Sequence, residues 1–298
     1  MYSDHLQIST GCENSACQPV MGGIIASDKC VDGSDCIKVS QFFKDSPAPI
    51  PTSTPTSTLF EKGTKLLGET LGTCILVTII VGSGISAEEL SDDVGLQLLI
   101  CGICVCAGLI GLILMFGPVS GAHFNPVVSM IDFLHGDMDL LDTILYSIAQ
   151  TVGGICGACL SNLQFNLPIA LSTKLRRKPH FWLGEVIATV SLLLVIHGCV
   201  RTGQKSAVPY AVGGWVLTGH FFTSSAIFAN PAVTIARQFT DTFTGISPSS
   251  VGPYIAFQYL GGFIAYGLIR FFYPHNHSLR KDDNLYLRIC LQDQKKNV

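Results

Sequence analysis

Charge is scarce in this sequence. Only 13% of its 298 residues are Asp, Glu, Lys or Arg, whereas a soluble globular chain has about 25%. The net charge is −3 and no basic stripe is present, so nothing here indicates a nucleic-acid partner. The apolar part also lacks a nucleotide-binding loop, a nucleophile–base arrangement and a metal-ligand cluster. We therefore expect no enzyme, no cofactor and no metal site.

Apolar residues are abundant and gathered in long runs. They make up 48% of the chain, and the mean hydropathy is +0.45. A run of about 20 residues is long enough to cross the bilayer core. Six runs qualify, at roughly 66–86, 94–116, 140–160, 180–200, 207–228 and 251–272. The sequence therefore predicts an all-α, multi-pass membrane protein.

Polar segments flank this apolar region. Residues 1–60 contain no apolar stretch after a basic start, which argues against a cleavable signal peptide. The Pro-, Ser- and Thr-rich stretch 46–58 has no helical period and predicts an extended linker. We expect a disordered extension over 1–60, a membrane domain over 61–273 and a cytosolic tail over 274–298.

Cysteine occurs twelve times, mostly in apolar runs, where it behaves as a small hydrophobic residue. Four cysteines lie in the polar N-terminal segment: Cys12, Cys17, Cys30 and Cys36. Their spacing does not match a C-x2-C metal pattern. Free thiols in a mobile tail and a small metal, metalloid or disulfide site both remain open for them.

The membrane region repeats itself. A Glu begins the first and fourth runs (Glu69, Glu185), and a Gln followed by two glycines lies in the third and sixth (Gln150, Gln258). An Asn-Pro pair follows the second and fifth. These landmarks define two halves, about 66–160 and 180–272. With three runs each, the second half is inverted relative to the first.

Two short apolar segments carry the Asn-Pro pairs. Residues 122–134 and 229–240 are too short to cross the membrane. Asn before Pro is a strong helix-start signal, and paired short segments in two halves indicate a substrate path. We expect two re-entrant half-helices whose N-termini meet near the midplane.

These features resemble the aquaporin, or major intrinsic protein, family over about residues 66–272. The resemblance rests on "SGAHFNPVVS" and "ANPAVT" at matching places. The stretches "FGPVSGAHFNP", "VPYAVG" and "FANPAVTIARQFTDTFTGISPSSV" are closest to a bacterial-type subgroup often encoded beside arsenic-resistance genes. The resemblance implies an aquaporin-like fold of six spanning helices and two half-helices, a homotetramer and passage of neutral solutes.

The resemblance also implies roles for the motif residues. The pore motifs are Asn125, Pro126 and Val127 in the first half and Asn230, Pro231 and Ala232 in the second. Each asparagine would cap its half-helix and donate an amide hydrogen to the pore. Glu69, Glu185 and His123 would support the re-entrant loops, since buried backbone N–H groups need acceptors inside the membrane.

Selectivity in this family is set by a filter on the outer side. Counting by the family's spacing, its walls would be Val105, Thr218, Ile227 and Val233, with His220 as the rival to Thr218. Val233 stands where the family usually has an arginine. This set has no large aromatic and no fixed charge, which predicts a wide, apolar filter.

Arg237 lies four residues after Val233, on the same helix face and about 6 Å further along the axis. We expect it in the outer vestibule, either reaching lipid headgroups or pairing with Asp241. A displaced filter arginine is the alternative.

The predicted function is a passive channel for water and small uncharged solutes, namely glycerol-like polyols and arsenite. A strict water channel and an ion-conducting channel on the same fold are the alternatives. Acidic residues after the first run favour the outside, which predicts cytosolic termini in the plasma membrane. The basic stretch 172–179 would then also lie outside, against the positive-inside rule.

Overall fold

The computed structural model describes residues 55–274, with side chains from residue 59. The predictions for the N-terminal extension, its four cysteines and the C-terminal tail lie outside these residues.

The described chain is helical, with eight α-helices and two 3₁₀ turns between residues 55 and 274. The α-helices are α1 Pro55–Leu90, α2 Val94–Ser120, α3 Pro126–His135, α4 Leu140–Gln164, α5 Pro179–Arg201, α6 Val208–Phe222, α7 Pro231–Ala236 and α8 Pro248–Phe272. The 3₁₀ turns are Lys205–Ala207, before α6, and Arg237–Phe239, after α7. The helix α1 begins inside the predicted linker 46–58, with Pro55 as its first residue, a position that tolerates proline.

Within the described residues, α1, α2, α4, α5 and α8 are long and apolar enough to cross a membrane. The fifth predicted run, 207–228, contains a shorter helix, because α6 ends at Phe222. Thr223 has an extended backbone with ψ 140°. Its hydroxyl donates to Gly219 O at 2.7 Å and accepts from Ile227 N at 2.9 Å. That double contact turns the chain into the loop before α7.

The two halves pack by the same plan. The helix α1 contacts α2 and α4, and α5 makes the equivalent contacts with α6 and α8. The half-helices α3 and α7 each pack against both α4 and α8, so each half closes on the other. Large apolar side chains such as Ile103, Leu163 and Phe263 are exposed on the outside, where a bilayer would cover them.

Glycine allows the closest helix approach. A Cβ added at Gly153 would lie 2.1 Å from Thr70 O, and one at Gly157 would lie 2.2 Å from Cys74 O. The helices α1 and α4 therefore touch backbone to backbone. Small residues four apart are a common device for such contact in membranes.

Candidate pore

The two Asn-Pro motifs begin the half-helices in the same way. Asn125 and Asn230 have extended backbones, with φ −152° and −156°. Asn125 Oδ1 accepts from Val127 N at 3.0 Å, and Asn230 Oδ1 accepts from Ala232 N at 3.0 Å. Each asparagine thus caps a helix whose first residue is a proline.

The asparagine amides also join the halves. Asn125 Nδ2 donates to Ala229 O at 2.8 Å, and Asn230 Nδ2 donates to Phe124 O at 2.8 Å. An amide carries two N–H groups, so each keeps a second hydrogen. Both asparagines line the central cavity, and that second hydrogen is the one available to a solute.

The loops before the asparagines have an unusual backbone. Ala122 and Phe124 have φ of 52° and 49°, and Ile227 and Ala229 have φ of 45° and 45°. These are the third and first positions before each asparagine. Non-glycine residues in the left-handed region are strained and occur where the surroundings hold them, often at functional sites.

Two buried glutamates hold those loops. Glu69 accepts from His123 N at 3.0 Å and from Phe124 N at 2.7 Å. Glu185 accepts from Phe228 N at 3.1 Å and from Ala229 N at 2.8 Å. Both side chains are 0% exposed. The contacts fit the support role predicted for these glutamates.

Gln150 and Gln258, which occupy matching places in the two halves, do more than pack helices. Gln150 Nε2 donates to Glu69 at 2.8 Å and to Ser129 Oγ at 3.2 Å. Gln258 Nε2 donates to Glu185 at 2.6 Å and to Thr234 Oγ1 at 2.8 Å. Each glutamine therefore ties its loop-supporting glutamate to a half-helix.

His123 bonds within its own half. Its Nδ1 lies 3.0 Å from Ser129 Oγ, and its Nε2 lies 3.1 Å from Asp132 Oδ2. Both partners belong to α3, so the ring fixes the loop to the half-helix that follows it. This contact fits the support role predicted for His123.

A single cavity of about 820 Å³ runs past both asparagines. Arg201, Lys205 and Tyr273 line one end, called the inner end here, and His220 and Val233 line the other, called the outer end. Apolar side chains from α1, α2, α5 and α6 form its walls. They include Leu76, Ile80, Val105, Leu109, Ile113, Leu192, Ile196, Val208, Val212 and Val216.

Five side chains gather at the outer end and form what we call the outer ring: Val105, His220, Ile227, Val233 and Arg237. Val105, Ile227 and Val233 belong to one buried apolar cluster. Gly219 gives Ile227 its place, since a Cβ there would lie 2.3 Å from Ile227 Cδ1. Three of the four predicted filter residues therefore line the cavity together.

Thr218 does not line the cavity. Its side chain is exposed on the outside of α6, and its hydroxyl donates to Gly214 O at 2.9 Å. The rival His220 faces the cavity instead. The prediction of Thr218 as a pore wall is wrong because Val212, Val216 and His220, spaced four apart, form the face of α6 that lines the cavity, and Thr218 does not lie on that face.

The ring of His220 has a defined tautomer. Its Nδ1 lies 2.7 Å from Val216 O, and a carbonyl can only accept, so Nδ1 carries the hydrogen. In the neutral ring Nε2 is then an acceptor. It bonds to none of the residues 55–274 and remains accessible from the cavity.

Arg237 lies inside the protein and not at the membrane surface. It is 7% exposed, its Nε donates to Thr244 O, and its guanidinium lies 3.5 Å from the centroid of the Phe228 ring. Among residues 55–274, Asp241 makes no ion pair with Arg237 and instead accepts from Thr173 N at 2.9 Å. The predicted vestibule position is wrong, and Arg237 belongs to the outer ring.

Sequence comparison agrees with this architecture. A model of the family described as "Major intrinsic protein" matches residues 57–226. The chain is 41% identical over 212 residues to the aquaglyceroporin AqpS of Rhizobium meliloti (strain 1021), covering 71% of this chain and 91% of that protein. This chain belongs to the major intrinsic protein family. Members of this family are membrane channels and not enzymes, as the sequence had predicted for this chain.

Two further relatives extend the comparison. The probable aquaporin NIP4-2 of Arabidopsis thaliana is 29% identical over 219 residues, 70% of this chain and 75% of that protein. The solved aquaglyceroporin of Plasmodium falciparum superposes with a TM-score of 0.54 at 22% identity, covering 70% of this chain and 95% of that one. The second likeness supports the aquaporin fold.

Sequence reasoning missed two members of this aquaporin pore. Phe228, two residues before Asn230, stacks against the guanidinium of Arg237. Nothing in the spacing of these two residues indicated a contact. Asp132 accepts from the ring of His123. It lies seven residues, or two helical turns, after the cap Asn125, so the sequence indicated that it shares a helix face with the cap.

Proposed function

We propose that this protein is a passive channel for water and small uncharged solutes of the glycerol type. The observation that carries the proposal is the cavity of about 820 Å³, whose lining is mainly aliphatic and whose polar groups include the two asparagine amides, together with charged side chains such as Arg201 and Arg237. Such a lining suits solutes with an apolar carbon face and hydroxyl groups. The likeness to a protein named an aquaglyceroporin supports the same solute class.

The outer ring favours solutes larger than water. Val105, Ile227 and Val233 are aliphatic and of moderate size, and the side chain at 233 is not the long cation usual at that place. His220 adds one acceptor nitrogen. We propose that four members of this ring, Val105, His220, Ile227 and Val233, are the filter that selects solutes by size, with His220 in the place predicted for Thr218. Asn125 and Asn230 orient the solute as it passes.

Arsenite belongs to the same proposal. As(OH)3 is uncharged near neutral pH and presents three hydroxyl groups, as glycerol does. The two valines and the isoleucine of the outer ring, with the acceptor nitrogen of His220 and the donors of Arg237, offer both molecules the same contacts. We therefore expect arsenite to follow glycerol, and not water, in every variant of the outer ring.

Stopped-flow uptake of water, glycerol and arsenite into proteoliposomes tests this function. We compare the wild type with Val233→Arg, and with Val233→Met as an uncharged control of similar length. The arginine reduces glycerol and arsenite uptake much more than water uptake. Swelling in glycerol no faster than that of empty liposomes would contradict the channel proposal, and equal loss of all three solutes would contradict Val233 as the filter position.

The setting of the channel is also proposed. The apolar outer surface and the family support an integral membrane protein, and we propose the plasma membrane, with cytosolic termini and a homotetrameric assembly. The family likeness supports the tetramer. Native mass spectrometry of the detergent-extracted protein checks it, with a mass four times that of the chain as the expected result.

A further inference from the structure

Arg237 is a buried cation without an acidic partner. Among residues 55–274, Asp or Glu lies within 4.0 Å of Lys62, His123, Lys174, His197 and Arg201, and Arg237 is not in that set. Its Nε is bound to Thr244 O. The two terminal nitrogens make no hydrogen bond to those residues, and the side chain lines the cavity. The free donors therefore face the solute path.

An aromatic ring replaces the missing carboxylate. The guanidinium carbon lies 3.5 Å from the Phe228 centroid, and a cation over an aromatic face is attracted by the electrons of the ring. Phe228 is itself buried and meets Tyr254 edge to face, with centroids 5.1 Å apart. The ring is thus a fixed support for the charge.

A second arginine lies near the same ring without entering the cavity. Arg176 lies 5.3 Å from the Phe228 centroid, and its Nε donates to Gly245 O at 3.1 Å. Arg176 is not among the residues that line the cavity. The chain therefore contains a matched pair of guanidinium groups beside one ring, of which one faces the solute path.

We propose that Arg237 is the charge-selecting residue of this channel and that Phe228 is its positioning residue. The inference rests on the proposed function as a solute channel. Arg237 repels cations and hydronium at the outer end, while Val105, Ile227 and Val233 set the width. Within the second half, Val233 lies in α7 and Arg237 begins the 3₁₀ turn that follows it, so width and charge are assigned to different residues four positions apart.

This division explains how a wide pore stays closed to ions. An arginine at 233 would place both its bulk and its charge in the aperture. At 237 the guanidinium is held against Phe228 and bound to Thr244 O, so its bulk stays at the wall. A charge at the wall still acts across a narrow passage, because coulombic repulsion falls only inversely with distance in a low-dielectric surrounding.

The test measures proton and potassium leak together with glycerol uptake, using proteoliposomes with an internal pH dye. Arg237→Met raises the leak by on the order of tenfold, from the repulsion of one nearby charge at intermediate dielectric, and glycerol uptake persists. Arg237→Lys keeps the charge and leaks less than Arg237→Met. Phe228→Leu removes the support and raises the leak, whereas Phe228→Tyr keeps the aromatic face and stays near the wild type.

Arg176→Met is the control, since it removes a guanidinium near the same ring that does not face the cavity. It leaves the leak at the wild-type level. A leak in Arg237→Met no greater than in the wild type overturns the proposal, and so does an equal leak in Arg176→Met. Glycerol uptake is scored separately: its absence in the wild type refutes the channel function, while intact uptake without leak in Arg237→Met refutes this inference alone.

Discussion

Two buried carboxylates stabilise the re-entrant loops. The backbone N–H groups of Phe124 and Ala229 lie away from water, in left-handed residues that no helix or strand satisfies. Glu69 and Glu185 accept those hydrogens. A buried N–H without an acceptor costs about 1–3 kcal/mol, so these residues stabilise the fold before they affect transport.

Replacing one of these glutamates by glutamine tests that role. Glu185→Gln exchanges one acceptor oxygen for an amide donor facing other donors, so we expect the free energy of unfolding to fall by about 1–3 kcal/mol. The exposed Glu89→Gln is the control and should leave stability unchanged. Thermal unfolding in detergent measures both. A melting temperature of Glu185→Gln equal to that of the control would show that the loop is held by other contacts.

Whether His220 or Thr218 forms the wall of the outer ring can be tested directly. His220→Ala removes a side chain and an acceptor nitrogen from the cavity, so we expect glycerol uptake to change relative to water uptake. Thr218→Ala alters a hydroxyl bonded to Gly214 O outside the cavity and should leave that ratio unchanged. Stopped-flow rates for the two solutes decide between them. A changed ratio in Thr218→Ala alone would restore the position counted from the family's spacing.

Residue types predicted the caps Asn125 and Asn230, because Asn before Pro has a local cause. The support role of Glu69 and Glu185 came from the family resemblance, and their hydrogen bonds to the loops fit it. Arg237 was placed wrongly because its partner Phe228 lies beyond the preceding half-helix and forms a contact that helical spacing does not describe.

At the scale of elements, the approach of α1 to α4 depends on missing side chains. Gly153→Ala would place a Cβ 2.1 Å from Thr70 O, and overpacking of this kind costs about 1–3 kcal/mol or more. Gly267→Ala in α8 meets nothing within 4 Å and should stabilise the helix by about 0.5–1 kcal/mol. Unfolding in detergent should therefore show opposite signs for the same substitution. Equal effects would mean that the contact seen at Gly153 does not limit the packing.

The segment between α4 and α5 is bound to the segment after α7. Ser172 N donates to Gln238 O at 2.8 Å, and Ser247 N donates to Lys174 O at 2.8 Å. Thr173 donates to Asp241 through N at 2.9 Å and Oγ1 at 3.1 Å. Because the backbone N–H of Thr173 stabilises the charged form, the pKa of Asp241 lies below its ordinary value.

Acid should therefore loosen this connection. Because the pKa of Asp241 is lower in the folded state, its charged carboxylate stabilises the connection fully above about pH 4. That contribution is lost as the pH falls through the lowered pKa. We expect hydrogen exchange at Thr173, corrected for the intrinsic rate, to speed up at the acid end. Asp241→Asn should already exchange faster at pH 7 and show no further acid step. A wild type with pH-independent protection would contradict the role of Asp241.

Helix boundaries were the weakest part of the sequence prediction. Hydropathy extended the fifth spanning run to residue 228, whereas α6 stops at Phe222. Ala226, Ile227 and Phe228 are apolar and line the cavity, with Ile227 and Phe228 buried and Ala226 half-buried. A buried loop and a buried helix have similar apolar composition, so hydropathy did not show where α6 ends. The hydroxyl contacts of Thr223 in the structure mark that end.

For the whole molecule, duplication explains why the fold was predictable. Each half supplies one glutamate, one asparagine cap and one glutamine in the same order, and their hydrogen bonds correspond pair by pair. Matching landmarks in sequence therefore predicted matching contacts in space. The halves differ at the pore ends: Asp132 and His123 bind in the first half, while Phe228 and Arg237 bind in the second. The charge selection that we propose for this chain depends on the second of these pairs.

The basic stretch 172–179 is the main sequence argument against cytosolic termini. The structure gives two of its cations other tasks: Lys174 lies 3.6 Å from Glu88, and Arg176 binds Gly245 O. Basic residues that are bound within the protein indicate membrane orientation less reliably than unbound ones.

We therefore expect a green fluorescent protein fused to the C-terminus to fluoresce, as it does in cytosol, and a fused alkaline phosphatase to be inactive. The same pair of fusions on a chain with Arg177→Ala and Lys178→Ala, which removes the remaining cations, should give the same result with a larger margin. An active phosphatase fusion on the wild type would place the termini outside and reverse the inner and outer ends of the pore.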